Sequence, residues 1–197
     1  MPLPVTPEQR LPRYLTQHEV AAFFHGITRL RDRALFAVVY HYGFRVSEVA
    51  LLQRGDVDLV RQRLIVKRVK GGIWTERPLF ATTVGLLRSH LGLTSGGAGD
   101  PLFGGQCGPL GKRQIQSLFT QYRDAAGLAR HYTCHSLRHS IATHLLDAGL
   151  PLEFVQDHLG HRSIRSTSIY ARITDRHRAA VYARLARSPW IVQPNGG

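Results

Sequence analysis

The chain has 197 residues, 43% of them apolar and 20% charged, which is enough for the core of one substantial domain and too little for two. Lysine and arginine number 26 against 13 acids, a formal charge of +13, which excludes an acidic solvating protein and points to a polyanionic partner. Two cysteines, Cys107 and Cys134, make neither a disulfide framework nor a zinc array; with no membrane-length apolar run and no signal peptide, the expected compartment is the cytoplasm.

Residues 1–13 carry four prolines and read as a flexible leader. Thr16-Gln17-His18-Glu19 has the spacing of a capping box, and Val20, Phe23 and Phe24 follow it, so a helix is expected over about 17–25. Arg29 to Tyr42 carries apolar residues at helical spacing, closed by Gly43, and Arg45 to Gln53 reads as a further helix. From Asp56 the pattern alternates through DVDLVRQRLIVKRV, breaks at GG and resumes in IWTERPLF, which predicts a two- or three-stranded antiparallel ribbon with Lys67 and Lys70 near its turn. Helix returns at 83–91, and TSGGAGDP at 94–101 is a loop. In the second half, helices are expected from Arg113 to Ala126, from His135 to Ala148, from Pro151 to a stop at Gly160, and from Asp175 through Arg187. The tail at 188–197 holds the apolar triplet Trp190-Ile191-Val192, which reads as folding back onto its own core. The fold class is therefore α+β and mainly helical, with a small antiparallel sheet inserted after the first helices.

Four segments carry candidate chemistry. In GFRVSEVALL, Arg45 and Glu48 stand three apart, which alone reads as a local surface ion pair worth a few tenths of a kcal/mol. RVKGGIWTERPL puts Lys70 at the ribbon turn, where a lysine is usually just solvated. HSLRHSIATHLL places His135 and Arg138 one helical turn apart, and in LGHRSIRSTSIYARI His161 precedes Tyr170 by nine residues. His135 and His139 have a zinc-compatible i, i+4 spacing, but no glutamate completes HExxH and Arg138 between them repels a cation, so no metal is expected. GGQCGPLGKR fails as a phosphate-binding loop, with Gln106 and Arg113 at positions that require glycine and Ser or Thr.

In this order and spacing the segments resemble the catalytic signature of the tyrosine recombinase (phage integrase) family, over roughly residues 14–175. The resemblance implies that Arg45 and Arg138 clamp a phosphate, Lys70 is an acid, His135 an acid/base, His161 a further phosphate ligand and Tyr170 the nucleophile, with Glu48 supporting the first arginine. It implies a catalytic domain over 14–187 that cleaves and rejoins double-stranded DNA at recombination sites through a 3′-phosphotyrosyl link. No cofactor, metal or ATP is implied. The implied partners are the DNA sites, three further copies in a homotetramer and DNA-bending accessory proteins, and the resemblance also implies, as the alternative to packing on its own core, a tail at 188–197 exchanged between protomers. The short stretch before Thr16, with RYLTQHEV and YHYGFRVSE, is most similar to the fimbrial phase-variation recombinases that lack a core-binding domain; a piece of a longer integrase is the alternative. A type IB topoisomerase-like relaxer shares the chemistry, and a non-catalytic DNA-binding regulator could share the fold, although it would not require Tyr170.

The residue types also fit the chemistry directly. Displacement at a phosphodiester builds negative charge on the non-bridging oxygens, which paired guanidiniums hold by charge-assisted hydrogen bonds. A phenol of reference pKa about 10 needs its proton accepted, and His135 is the expected acceptor. The departing 5′-oxygen needs a proton, which the Lys70 ammonium can donate where a guanidinium hardly can.

Overall fold

The computed structural model describes residues 12–67, 74–105 and 108–160 together with Thr167 and Tyr170. Lys70, His161, the expected helix from Asp175 to Arg187, the tail at 188–197 and all of the leader but Pro12 and Arg13 lie outside the described residues.

Helix α1 (Gln17–His25) begins at the capping box read from sequence: the Glu19 carboxylate accepts the Thr16 backbone N–H at 2.8 Å, and Thr16 Oγ1 accepts the Glu19 N–H at 3.2 Å. This closes the first turn over Val20 and Phe23, both buried. Helix α2 (Leu30–His41) is buried at every position from Ala34 to Val39, the pattern of a central helix rather than an amphipathic surface one. It packs against α4 (Ala81–Gly92) and α6 (Cys134–Asp147). Phe23, Phe36 and Phe119 of α5 (Lys112–Ala125) form the aromatic centre of the main core, with ring centroids 5.0–6.1 Å apart.

The helix expected from Arg45 to Gln53 is much shorter: α3 covers Val46–Val49 only. The reason lies in the backbone that follows it. Leu52 accepts from the Leu102 N–H at 2.8 Å, while the Arg54 and Gly55 N–H groups donate to Asp100 and Ala98 at 2.9 and 2.8 Å. These groups find partners in the 98–102 loop, so the helical ladder stops. A sheet of three antiparallel strands follows, β1 (Val57–Asp58), β2 (Arg63–Lys67) and β3 (Trp74–Pro78), in that spatial order. Leu64 and Val66 are buried while the residues between them are not, as period-two alternation requires. At the last described pair of β2 and β3, the Lys67 ammonium sits 2.6 Å from Asp56 and 5.0 Å above the Trp74 ring.

Two further strands, β4 (Gly104–Gly105) and β5 (Gly108–Pro109), pair antiparallel without any alternation to announce them. Helix α7 (Leu152–Leu159) starts after Pro151 and ends at Gly160 in the left-handed conformation (φ 63°). It packs on α6 in a second, smaller core of Ile141, Ala142, Val155, Leu159 and Tyr170. Arg77 ties β3 to this helix, donating to the Asp157 carboxylate at 2.5 Å and to its carbonyl at 2.9 Å. No helix among the described residues is long and apolar enough to cross a membrane.

Candidate active site

The site is built around α6, whose inward face carries Arg138. That side chain is 1% exposed. One guanidinium nitrogen donates to the Gly43 carbonyl and another to the Leu159 carbonyl at 2.8 Å, joining the turn after α2 to the end of α7. Gly43 has φ 57°, and a Cβ there would stand 2.5 Å from Leu159 Cδ2. Only glycine meets both demands.

Arg45 lies two residues beyond this turn, just ahead of α3. Glu48 is 2% exposed and accepts both the Arg45 backbone N–H and its guanidinium, each at 2.8 Å. The pair expected at the surface is therefore a buried carboxylate that fixes both the backbone and the side chain of Arg45. The arginine itself keeps 39% of its side-chain surface exposed. It borders a cleft of about 350 Å³ shared with Lys112, Gln116, Arg123, Tyr132 and His135. His135 opens to solvent at this cleft. Its pKa is held below the ordinary histidine value by desolvation, then by the Arg138 and Arg45 guanidiniums.

His139 follows one helical turn later, its ring edge-on to His135 at 4.5 Å between centroids. Its Nδ1 lies 2.6 Å from the Tyr170 hydroxyl. Desolvation, then His135 and Arg138, push the His139 pKa down to about 4, so the ring is neutral near pH 7 and Nδ1 accepts the phenol O–H. Tyr170 is 2% exposed. Burial pushes its pKa up to about 12 against the opposing pull of Arg138 and Arg45. The nucleophile candidate is thus stored protonated, packed in the smaller core and hydrogen-bonded to a neutral imidazole.

The structure places Arg45, Glu48, His135, Arg138 and Tyr170 within one electrostatic neighbourhood, while Lys70 and His161 lie outside the described residues. The sequence reading missed the contact of His139 with Tyr170: the i, i+4 histidine spacing was visible, but it was weighed only as a metal pair. Among the described residues no cluster of three or more His, Cys, Asp or Glu could hold a metal. A larger cavity of about 510 Å³ lies elsewhere, and its arginines are engaged, Arg31 with Asp32 and the Gly104 carbonyl, Arg54 with Thr94.

This combination of two arginines, two imidazoles and a phenol is equipped to hold a phosphodiester and attack it. The phage integrase family pattern matches residues 13–177. The chain belongs to the phage integrase family. Among its relatives in that family, the tyrosine recombinase XerC of Xylella fastidiosa (strain 9a5c) is 36% identical over 179 residues, covering 88% of this chain and 60% of its own. The tyrosine recombinase XerC of Chromobacterium violaceum is 40% identical over 154 residues, 77% of this chain and 51% of its own. The chain thus spans between half and two-thirds of the length of these phage integrase relatives. The crystal structure of the XerH site-specific recombinase bound to palindromic difH substrate, a post-cleavage complex, superposes with a TM-score of 0.77 at 27% identity, covering 91% of this chain and 54% of that one. The fold is that of the recombinase catalytic domain. These matches are Xer recombinases and do not bear on the likeness to the short fimbrial group.

Proposed function

We propose that this chain carries out site-specific DNA recombination, cutting and rejoining strands through a covalent 3′-phosphotyrosyl intermediate on Tyr170. The observation that carries the reading is the convergence of the Tyr170 phenol with Arg138, Arg45, His135 and His139 in one site bordering an electropositive cleft. A scissile phosphate entering beside Arg45 and His135 would be held by charge-assisted hydrogen bonds to its non-bridging oxygens, and removing one donor of this kind typically costs about 10²–10³ in rate. Attack by the Tyr170 oxygen forms the phosphotyrosyl bond and releases a 5′-hydroxyl. The exchanged bond conserves the phosphodiester energy, so rejoining needs no ATP. Lys70 is assigned the protonation of the leaving oxygen and His161 a further phosphate contact, both on their place in the sequence signature. Arg138 and Tyr170 are both closed to solvent here, so productive DNA binding involves opening of the Tyr170 packing. Strand exchange between two sites calls for four protomers, and the reading includes a homotetramer on double-stranded DNA, DNA-bending accessory proteins and a cytoplasmic setting.

Tyr170→Phe tests the reading. The substitution keeps the ring in its core and removes the attacking oxygen. Incubated with nicked suicide sites, the parent is expected to give a covalent protein–DNA adduct and the variant none, with DNA binding and melting temperature retained. An adduct of undiminished yield in Tyr170→Phe would transfer the nucleophile elsewhere.

A further inference from the structure

We propose that Arg123 is a positioning residue for His135, holding the first turn of α6 in place at the cleft. The proposal rests on the reading of this cleft as the place where a scissile phosphate enters. Arg123 lies near the end of α5, is 9% exposed and borders the cleft. A buried guanidinium needs acceptors for its N–H donors, and this one finds them in two directions. Nη1 donates to the Arg130 and Tyr132 carbonyls at 2.8 and 2.9 Å, in the loop between α5 and α6. Nε and Nη2 donate to the half-exposed Asp124 carboxylate at 2.9 and 2.7 Å. These donors are spent on the protein's own acceptors, so Arg123 shapes the wall of the cleft.

The anchored loop runs straight into the site. Tyr132 is buried, and its hydroxyl donates to Glu19 at 3.0 Å, which ties the same residue to α1. Thr133 follows as the cap of α6: its carbonyl accepts the Ser136 N–H at 2.8 Å, and its own N–H donates to Ser136 Oγ at 3.1 Å. His135 is the second residue of the helix and opens to the cleft. A shift of the Tyr132 carbonyl therefore carries the cap and His135 with it. Lysine is no substitute here, because one ammonium is a point donor and cannot serve two carbonyls and a carboxylate in the plane of a fork. None of these contacts runs through Tyr170, whose packing has to open for DNA.

The test compares the parent with Arg123→Lys and Asp124→Ala by DNA affinity, single-turnover adduct formation on suicide sites, and nitrogen-15 titration of the His135 ring in the free protein. Arg123→Lys keeps the charge and removes the fork. With DNA affinity retained, its adduct formation is expected to slow about 10²-fold, the cost of a misplacement of about 1 Å. The His135 pKa is held down by desolvation, Arg138 and Arg45, against an opposing pull from Glu48. A first turn released into the cleft is expected to let it rise toward the ordinary 6.5, while His144 in the last turn of α6 keeps its own. An arginine that merely stabilised the fold would lower the melting temperature and leave rate and titration alone. An adduct rate near the parent's overturns the proposal, as does a loss of rate or affinity with His135 unmoved. If Arg123→Lys does not fold, Asp124→Ala loosens the same guanidinium from a half-exposed position; the same changes are expected at smaller amplitude, and parental rate and titration there overturn the proposal. A parent that forms no adduct would remove the phosphotyrosyl reading, a separate outcome in which the His135 titration still decides for or against Arg123.

Discussion

Glu48 holds two donors of Arg45 at once, and its removal leaves the part-buried backbone N–H without its acceptor while the guanidinium, 39% exposed, turns to water. Glu48→Ala is expected to lower stability by about 1–3 kcal/mol, the usual cost of leaving buried donors unpaired. It also releases the guanidinium at the cleft. A misplacement of about 1 Å is enough to reduce a rate about 10²-fold. Calorimetry together with adduct kinetics checks this, and a variant with parental melting and parental rate would mean that Arg45 is held by something else. At this scale the sequence was informative because chemistry restricts residue types: Arg, His and Tyr at those spacings have few other uses in combination. It was silent on which histidine meets the phenol. His139 and Tyr170 are 31 residues apart, and a contact of that range is recorded by no local pattern.

At the scale of the elements, the turn after α2 is the most constrained piece of chain. Gly43→Ala places a Cβ against Leu159 in a left-handed backbone, which costs about 1–2 kcal/mol from backbone strain before the clash is counted. A melting temperature lower by at least about 2–4 °C is expected. Unchanged melting would mean that α7 yields easily to the added methyl. The helices were legible from different signals: the capping box for α1, Pro151 for the start of α7, and apolar spacing closed by Gly43, Gly127, Gly149 and Gly160 for the ends of α2, α5, α6 and α7. The shortening of α3 was not, since VSEVALLQ carries a helical pattern through residues whose backbone is satisfied instead by the 98–102 loop. Nor was the β4–β5 pair, because two-residue strands of glycine and proline have no alternation to read.

For the molecule as a whole, the histidines around the site share one sign. His41, His135, His139 and His144 all have pKa values below the ordinary 6.5, with desolvation as the leading cause in each. The unfolded chain therefore binds more protons than the folded one between about pH 6.5 and 4, and stability is lost as pH falls through that window. Tyr122 and Tyr170 are shifted the other way, each up to about 12 with burial as the first cause. The unfolded chain ionises first above pH 10, and stability declines there too. Thermal melts from pH 4 to 11 are expected to give a plateau across neutral pH, falling on both sides. A melting temperature that rises from pH 7 to pH 5 would contradict the histidine assignment.

Arg138 bears on how relatives of this chain can be told apart. Its guanidinium ties the Gly43 carbonyl to the Leu159 carbonyl, a mechanical duty that persists whether or not DNA is ever cut. A descendant that abandoned catalysis would still draw on that arginine to join the two carbonyls. Tyr170 could become phenylalanine and His139 another acceptor at far smaller structural cost. An intact arginine is therefore a signature of the scaffold, and the phenol with its imidazole partner is the better mark of a working enzyme.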